Sequence, residues 1–241
     1  MSKDNNLHDF LTDIADAVRS KTGKSEPINA QNLSEEIRSI EGGDNGWNGS
    51  VVYADGKDDC FGTQACKEIV VREGVTRISK FALYQANLLE KITLPSSLKY
   101  IEDYSFSGSS LKRIDNINNV ISISVNAFSS KSLQYISIPE KLEILGANAF
   151  QNASNLISVL YFPNTLSLIA ANTFAGCSKV PAFIFHERNE VIRLDNVNAF
   201  SGTTGKIVVP DNLYDEWIAA TNWSAYADRI VKASEYQPNN E

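Results

Sequence analysis

Histidine and cysteine, the residues that most often do chemistry in proteins, are few and scattered in this 241-residue chain. Its two histidines, His8 and His186, lie far apart, and neither has a Cys or His at the spacing of a zinc site. Its three cysteines, Cys60, Cys66 and Cys177, are too few for a disulfide framework in a chain of this length. These counts predict a protein that is not an enzyme and carries no cofactor and no bound metal.

Two short motifs resemble ligand sites without matching them. Residues 202–206 (GTTGK) lack the spacing of a phosphate-binding loop, and Ile207 stands where a Ser or Thr would hold magnesium. Asp55, Asp58 and Asp59 lack the alternate spacing and the bidentate Glu of a calcium-binding EF-hand loop. We interpret both as turns. A glycan-cleaving enzyme stays open as an alternative, since folding can bring two distant carboxylates together across a cleft.

The charge balance excludes several partners. The chain has 22 Lys+Arg and 29 Asp+Glu, a net charge of −7 and a pI near 5.0. Nucleic acid and anionic membranes both attract clustered Lys and Arg, so neither is an expected partner. No apolar run reaches the roughly 18 residues needed to cross a bilayer, so membrane insertion is not expected. The N-terminus lacks the apolar stretch of a secretory signal, and we expect synthesis in a cytoplasm without general secretory export.

Residues 1–42 have the apolar spacing of two short helices. Such helices bury little surface by themselves, so we expect this module to pack on a partner or on copies of itself. The apolar positions assigned to this assembly surface are Leu7, Phe10, Leu11, Ile14, Val18, Leu33, Ile37 and Ile40. A glycine-rich linker is predicted over residues 43–50.

An internal repeat begins near residue 51. Each unit has a strand-like apolar stretch, a second apolar position, and a large apolar residue eight positions later. The large apolar residues of successive units lie 23, 22, 22, 24 and 26 residues apart: Leu83, Phe106, Phe128, Phe150, Phe174 and Phe200. One such unit cannot cover its own apolar face, whereas stacked units form a continuous core. The predicted α+β fold is a helical hairpin, a β-solenoid of about six repeats over 51–206, and a closing strand with a helical cap over 207–241.

The repeats resemble BspA-type leucine-rich repeats, which follow roughly I-x-I-P-x-x-L-x-x-I-x-x-x-A-F. The pattern stands here as ITLPSSLKYIEDYSF (92–106), ISIPEKLEILGANAF (136–150) and YFPNTLSLIAANTFAGCSKV (161–180). The resemblance implies a non-catalytic binding protein and places Cys177 at a buried position of the repeat. Cys60 and Cys66 are expected to be buried thiols as well, with a bridge between them as the alternative.

Residues 9–42 are similar to a short helical element found in virion proteins of phages that infect Gram-positive and related bacteria. Its form is IADAIR-x-KTG followed by I-x-x-x-x-[LM]-x-x-x-I, and the chain reads IADAVRSKTG from residue 14. The similarity implies a virion location and contacts with other virion proteins through the N-terminal helices. It also explains how a protein without a secretory signal reaches the outside of a cell.

Strand alternation predicts which side chains face outward. If the central Ile or Leu of each strand faces inward, one contiguous aromatic and apolar patch lies outside on neighbouring repeats: Tyr135, Val159, Tyr161, Phe183 and Phe185. Such patches usually mark interfaces or sugar-binding platforms. Three interpretations stay open: contact with another subunit or virion protein, cover by the C-terminal helices around Trp217 and Trp223, or a receptor-binding face.

The sequence therefore favours a non-enzymatic phage structural and adhesion protein of the tail-fibre, baseplate or receptor-binding type. It is expected to form a homo-oligomer and to display its repeats toward a host surface glycan or protein. The alternatives are a capsid decoration protein and a bacterial cell-surface leucine-rich repeat adhesin.

Overall fold

The computed structural model describes residues 67–237, which fold as a series of short parallel strands. The described strands are two to four residues long, and each pairs with the matching strand of an adjacent turn. The strands, numbered in chain order, are β1 (Glu68–Val70), β2 (Arg77–Ile78), β3 (Lys91–Thr93), β4 (Tyr100–Ile101), β5 (Arg113–Asp115), β6 (Ser122–Ile123), β7 (Ile144–Leu145), β8 (Leu160–Phe162), β9 (Leu168–Ile169), β10 (Ala182–Phe185), β11 (Arg193–Leu194), β12 (Lys206–Val209) and β13 (Ile230–Lys232).

The strands form two ladders, because every repeat except the fourth contributes one strand to each. The first ladder comprises the sheets β1-β3-β5 and β8-β10-β12-β13, and the second comprises β2-β4-β6-β7 and β9-β11. Every strand pair is parallel, and most join equivalent positions of adjacent repeats, as in Ile69 opposite Ile92 and Ile92 opposite Ile114. The predicted repeat period and most of the predicted strands are thereby confirmed.

The core between the ladders is a column of stacked rings. Each aligned large residue from Leu83 to Phe200 is at most 2% exposed. Adjacent rings stack in order along the column at centroid distances of 5.1, 5.4, 5.4 and 5.4 Å: Phe106, Phe128, Phe150, Phe174 and Phe200. The apolar residues eight positions earlier are buried too, which confirms the role that the period gave them. The column joins all the repeats in one continuous core.

In the first five repeats, the turn before the large core residue contains a left-handed residue. Two positions before the ring, the third to fifth repeats use asparagine: Asn126 (φ 54°), Asn148 (φ 57°) and Asn172 (φ 54°). Asparagine tolerates this conformation better than other residues with a Cβ. The first two repeats place Phe81 (φ 60°) and Tyr104 (φ 56°) there instead. The same turns form further hydrogen bonds between repeats, so the left-handed residue is part of the stacking geometry.

The first ladder is interrupted between the fourth and fifth repeats. Residues 136–138, predicted as a strand, form none, and the fourth repeat keeps one isolated parallel bridge to the third. Between its buried leucine and its proline, the fifth repeat (156–163) has one residue more than the fourth (133–139). An extra residue of this kind bulges a strand and disrupts pairing. The Ser158 hydroxyl replaces a ladder carbonyl here, accepting a hydrogen bond from the Ile136 amide at 3.1 Å.

Side chains from the C-terminal residues close the last repeat. These residues form helix α1 (Tyr214–Ala219), a 3₁₀ segment (Trp223–Arg229) and β13, which pairs with β12. Four side chains donate hydrogen bonds to carbonyl oxygens of the sixth repeat: Trp223 to Ile192 (2.7 Å), Asn222 to Leu194 (2.8 Å), Tyr226 to Val197 and Arg229 to Thr203. The cap thus satisfies groups that a further repeat would otherwise pair with.

Several predictions lie outside the described residues and stay predictions: the helical hairpin (1–42), the linker (43–50), the aspartates of residues 55–59, and Cys60 with Cys66. Within residues 67–237, no helix has the length and apolar character required to span a membrane.

We expect Asn148→Ala to lower the free energy of unfolding by about 1 kcal/mol, because alanine adopts a left-handed backbone at a cost of about 1–2 kcal/mol. Asn148→Gly removes the same side chain but permits the conformation, so its stability should stay near that of the wild type. Urea unfolding of the two variants provides the measurement. Equal destabilisation of both would show that side-chain contacts matter here instead of backbone conformation.

The two buried tryptophans allow a matched test of the cap. Trp223 donates its indole N–H to Ile192, whereas the N–H of Trp217 has no hydrogen-bond partner among the described residues. Both side chains are almost fully buried, at 1% and 0% exposure, so Trp→Phe removes a similar volume at each site. Trp223→Phe should cost about 1–2 kcal/mol more unfolding free energy than Trp217→Phe, because it leaves a buried carbonyl unpaired. Thermal or urea unfolding that ranks them equally would contradict this role.

Candidate ligand-binding site

The outer face of the first ladder carries the side chains that flank the inward isoleucines. In the first three repeats, alternation along β1, β3 and β5 buries the central Ile and turns its neighbours outward, as predicted. The strand register aligns Glu68, Lys91, Arg113 and Tyr135 in one row. This face is therefore charged in its first repeats and becomes aromatic at the fourth.

Apart from Glu68, the charged side chains that β1, β3 and β5 turn outward are paired with one another. Asp115 lies 2.7 Å from the Arg113 guanidinium and 3.4 Å from the Lys91 ammonium. The hydrogen bond from Arg113 holds the pKa of the Asp115 carboxyl below its usual range. Lys112 lies 2.9 Å from Glu90 and likewise lowers the pKa of that carboxyl. Because these side chains form ion pairs with each other, their charges are not available to bind a charged ligand.

Of the five residues predicted to form one outward patch, the structure places two tyrosines on the surface. Tyr135 and Tyr161 are each 47% exposed, whereas Val159 is half-buried in the bulged segment. The Tyr161 ring stacks on the imidazole of His186, with ring centroids 6.1 Å apart and planes inclined by 28°. This stack holds the Tyr161 ring in place on the outer face.

The predicted orientation of Phe183 and Phe185 is wrong. Both point into the core, at 0% and 2% exposure, and Ile184 takes the outward position between them. The register pairs Phe183 with Leu160 and with Ile207, one position away from the alignment assumed from the repeat spacing. Because residues 182–185 are all apolar, their pattern does not reveal which face is inside. Turning two phenylalanines inward buries more apolar surface than turning one isoleucine inward.

The buried phenylalanines join the aromatic column to the cap. Phe183 contacts Phe174 at 5.3 Å and Phe200 at 4.9 Å, and Phe185 contacts Trp217 at 5.0 Å, as distances between ring centroids. The C-terminal tryptophans therefore pack against part of the predicted patch, but this contact lies inside the core and not on the outer face.

A groove opens beside Tyr161 on the outer face, with a volume of about 550 Å³. It lies where the first ladder is interrupted, since the fourth repeat forms one side and the fifth forms the floor. Its lining comprises Asn118, Ser137, Ile138, Glu140, Tyr161, Pro163, Asn164 and His186. Tyr135 is exposed on the same face but does not line this groove.

Five polar side chains of the Tyr161 groove have no partner within the described chain. They form no hydrogen bond and no ion pair with another described residue: Asn118, Ser137, Glu140, Asn164 and His186. In the first three repeats, by contrast, the charged groups of this face are paired internally, with the exception of Glu68. A cluster of free donors and acceptors around a half-exposed aromatic ring is typical of a small-ligand site.

Sequence reasoning did not identify the polar members of the Tyr161 groove, since each is unremarkable in its own repeat. It also missed Tyr236, which follows the C-terminal 3₁₀ turn Ala233–Glu235. Burial, and then the nearby phenol of Tyr161, raise the pKa of Tyr236, which lies near Tyr161 but does not line the groove. The amide of Ser234 donates to the Asp211 carboxylate at 3.0 Å and fixes this turn. The sequence does not reveal that Tyr236 lies near Tyr161, because this proximity arises only when the cap folds.

The other candidates from the sequence have structural roles. Cys177 is fully buried, its thiol donates to the Phe150 carbonyl at 3.0 Å, and burial raises its pKa to about 12, so it stays a protonated thiol near neutral pH. Residues 202–206 form a turn into β12, in which Gly205 packs so closely on the Val180 carbonyl that a Cβ would not fit. Within the described part of the chain, no three His, Cys, Asp or Glu side chains cluster as a metal site would require.

Two parallel ladders with a period of 22 to 26 residues and an internal aromatic column define a repeat protein of the leucine-rich class. The chain belongs to the BspA-type leucine-rich repeat family, whose family model matches residues 57–212 in six copies. The match begins after residue 42, so the resemblance of residues 9–42 to virion proteins stays a prediction.

Two solved structures share the fold. A leucine-rich repeat protein from Bacteroides ovatus is 27% identical with a TM-score of 0.52, covering 68% of this chain and 52% of its own. The pneumococcal vaccine antigen PcpA is 13% identical with a TM-score of 0.52, covering 68% of this chain and 39% of its own. The chain thus spans about half the length, or less, of these proteins. No curated protein sequence matches it significantly.

Proposed function

We propose that the repeat region is a non-catalytic recognition domain that binds a surface ligand in the Tyr161 groove. One observation carries the proposal: five unpaired polar side chains surround an exposed aromatic ring on a face where the charges of Lys91, Arg113 and Asp115 are paired with one another. Family membership supports the same view, because proteins built from these repeats are generally structural or interaction proteins.

Hydrolysis of a glycan is less well supported than binding. Most glycoside hydrolases use two carboxylates that face each other across the scissile bond. The described lining of the Tyr161 groove contributes one, that of Glu140. A groove with one carboxylate, two amides and a tyrosine can orient a ligand but lacks the acid and nucleophile pair.

We propose further that the repeats form a β-solenoid displayed on a phage particle, with residues 1–42 as the anchor. The similarity of residues 9–42 to a helical element of virion proteins supports this location. Many copies on one particle would bind a surface together, so that a weak single site gives strong attachment through effective concentration. Tail, baseplate and head positions all fit this arrangement.

A bacterial cell-surface adhesin is the second candidate. Its support is the family match together with the 27% identity to a repeat protein encoded by a bacterium, Bacteroides ovatus. The same recognition face would serve either setting, because both need a non-catalytic domain that holds a surface ligand.

The two settings give different protein locations. We expect mass spectrometry to find the chain in phage particles that are induced from the strain carrying its gene and purified on a density gradient. Phage head and tail proteins in the same gradient fraction provide the internal standard. Recovery of the chain in the surface fraction of uninduced cells, and its absence from particles, would instead establish the adhesin.

Recognition through the Tyr161 groove predicts that the purified full chain binds intact cells of at least one bacterium in a broad panel. Tyr161→Ala should weaken this binding about tenfold or more, as truncation of a central aromatic contact commonly does. Tyr84→Ala is the matched control, because Tyr84 is 42% exposed but lies far along the chain from the groove. Flow cytometry with labelled protein measures both. Equal loss in the two variants, or no binding to any cell, would contradict the proposal.

A further inference from the structure

We propose that the ligand of the Tyr161 groove is an oligosaccharide of uncharged pyranose rings. This inference rests on the proposed function, because it names the ligand class of the same groove. Three features of the groove carry it: the kind of polar groups it leaves free, the exposed ring at its floor, and the balance of charge along its lining.

The free polar groups offer both donors and acceptors. Asn118 and Asn164 each present an amide that can donate and accept, the Ser137 hydroxyl does the same, and the Glu140 carboxylate accepts. Sugar hydroxyls are likewise donors and acceptors at once, so a ring with several hydroxyls can satisfy such a set. A peptide strand would instead be held mainly by backbone pairing at the open edge of β8, which would leave these side-chain donors and acceptors unused.

The aromatic ring at the floor offers an apolar surface of the right kind. Tyr161 keeps 47% of its surface exposed while His186 stacks on it at 6.1 Å. A pyranose ring has a C–H face that packs on an aromatic ring and hydroxyls at its rim that point toward polar neighbours. Tyrosine suits this contact, because it combines an apolar body with a polar tip.

The charge along the lining argues against acidic glycans. The described lining of the Tyr161 groove includes the Glu140 carboxylate but no lysine or arginine, and the guanidinium of the neighbouring Arg188 is bound to the carbonyl oxygen of Pro163 at 2.8 Å. Carboxylate and phosphate groups are usually held by guanidinium or ammonium groups, and Glu140 would repel them. The groove volume of about 550 Å³ lies in the range of about 300–1,000 Å³ that small-ligand sites occupy.

The first test measures the ligand class directly. The full chain is applied to a printed panel of neutral oligosaccharides of hexose and N-acetylhexosamine, together with counterparts that bear uronic acid or phosphate. We expect binding to neutral members and at least about tenfold weaker binding to their acidic counterparts. Glu140→Gln keeps the acceptor oxygen but removes the charge, so it should narrow that difference. A preference for acidic members would overturn the proposal.

Substitutions at Tyr161 separate the ring from its hydroxyl. Tyr161→Phe keeps the stacking surface and should bind neutral oligosaccharides within about threefold of the wild type, whereas Tyr161→Ala should lose about tenfold or more. Unfolding curves of both variants check that they are folded. Equal binding by the two variants would show that the ring face does not hold the ligand.

A cell-based test distinguishes failure of this inference from failure of the proposed function. Cells that bind the full chain are treated with periodate, which cleaves vicinal diols of sugars, or with protease. The inference expects adhesion to be lost after periodate and kept after protease. Adhesion that survives periodate but not protease would overturn the sugar ligand while recognition itself stands. No adhesion to untreated cells would overturn both.

Discussion

The fold depends on the mutual burial of neighbouring repeats. One repeat offers a few isoleucines and leucines and a single phenylalanine, which two short strands cannot shield from water. Parallel pairing at equivalent positions places each ring against the next, from Phe106 to Phe200, and makes one core out of units that are unstable alone. The register of the ladders, the left-handed turns and the cap all serve this contact. The outer face is then free to carry side chains that stability does not require.

The sequence predicts the parts of this fold that recur. The spacing of the aromatic residues identified the column, and the apolar stretches identified most strands of the first ladder, because a buried position must hold an apolar residue in every repeat. The orientation of residues 182–185 was not predictable, since Ala-Phe-Ile-Phe is apolar at each position and either face could turn inward. Packing of the two phenylalanines against Phe174, Phe200 and Trp217 determines the orientation, and these three residues lie outside the strand.

The Tyr161 groove was predictable only in part, and for a related reason. Tyr161 stood out because an aromatic residue at an outward strand position is unusual in a wet sheet face. Asn118, Glu140 and Asn164 fall in turns of three different repeats, where polar residues are ordinary. The one-residue insertion before Pro163 was the only other local feature of the sequence that indicated the position of the groove. It interrupts the first ladder between Ser137 and Tyr161, at the place where the groove lies. A repeat whose length departs from the period is therefore a place where a binding groove can form.

The cap has a consequence for how such proteins change in length. Its tryptophan, asparagine, tyrosine and arginine side chains already occupy the carbonyl groups of the sixth repeat onto which another unit would dock. A copy of the repeat fused behind residue 237 would find these carbonyl groups occupied. Additional turns therefore fit upstream of the cap, where equivalent strands pair with one another, and the same C-terminal residues could close an array of any number of turns.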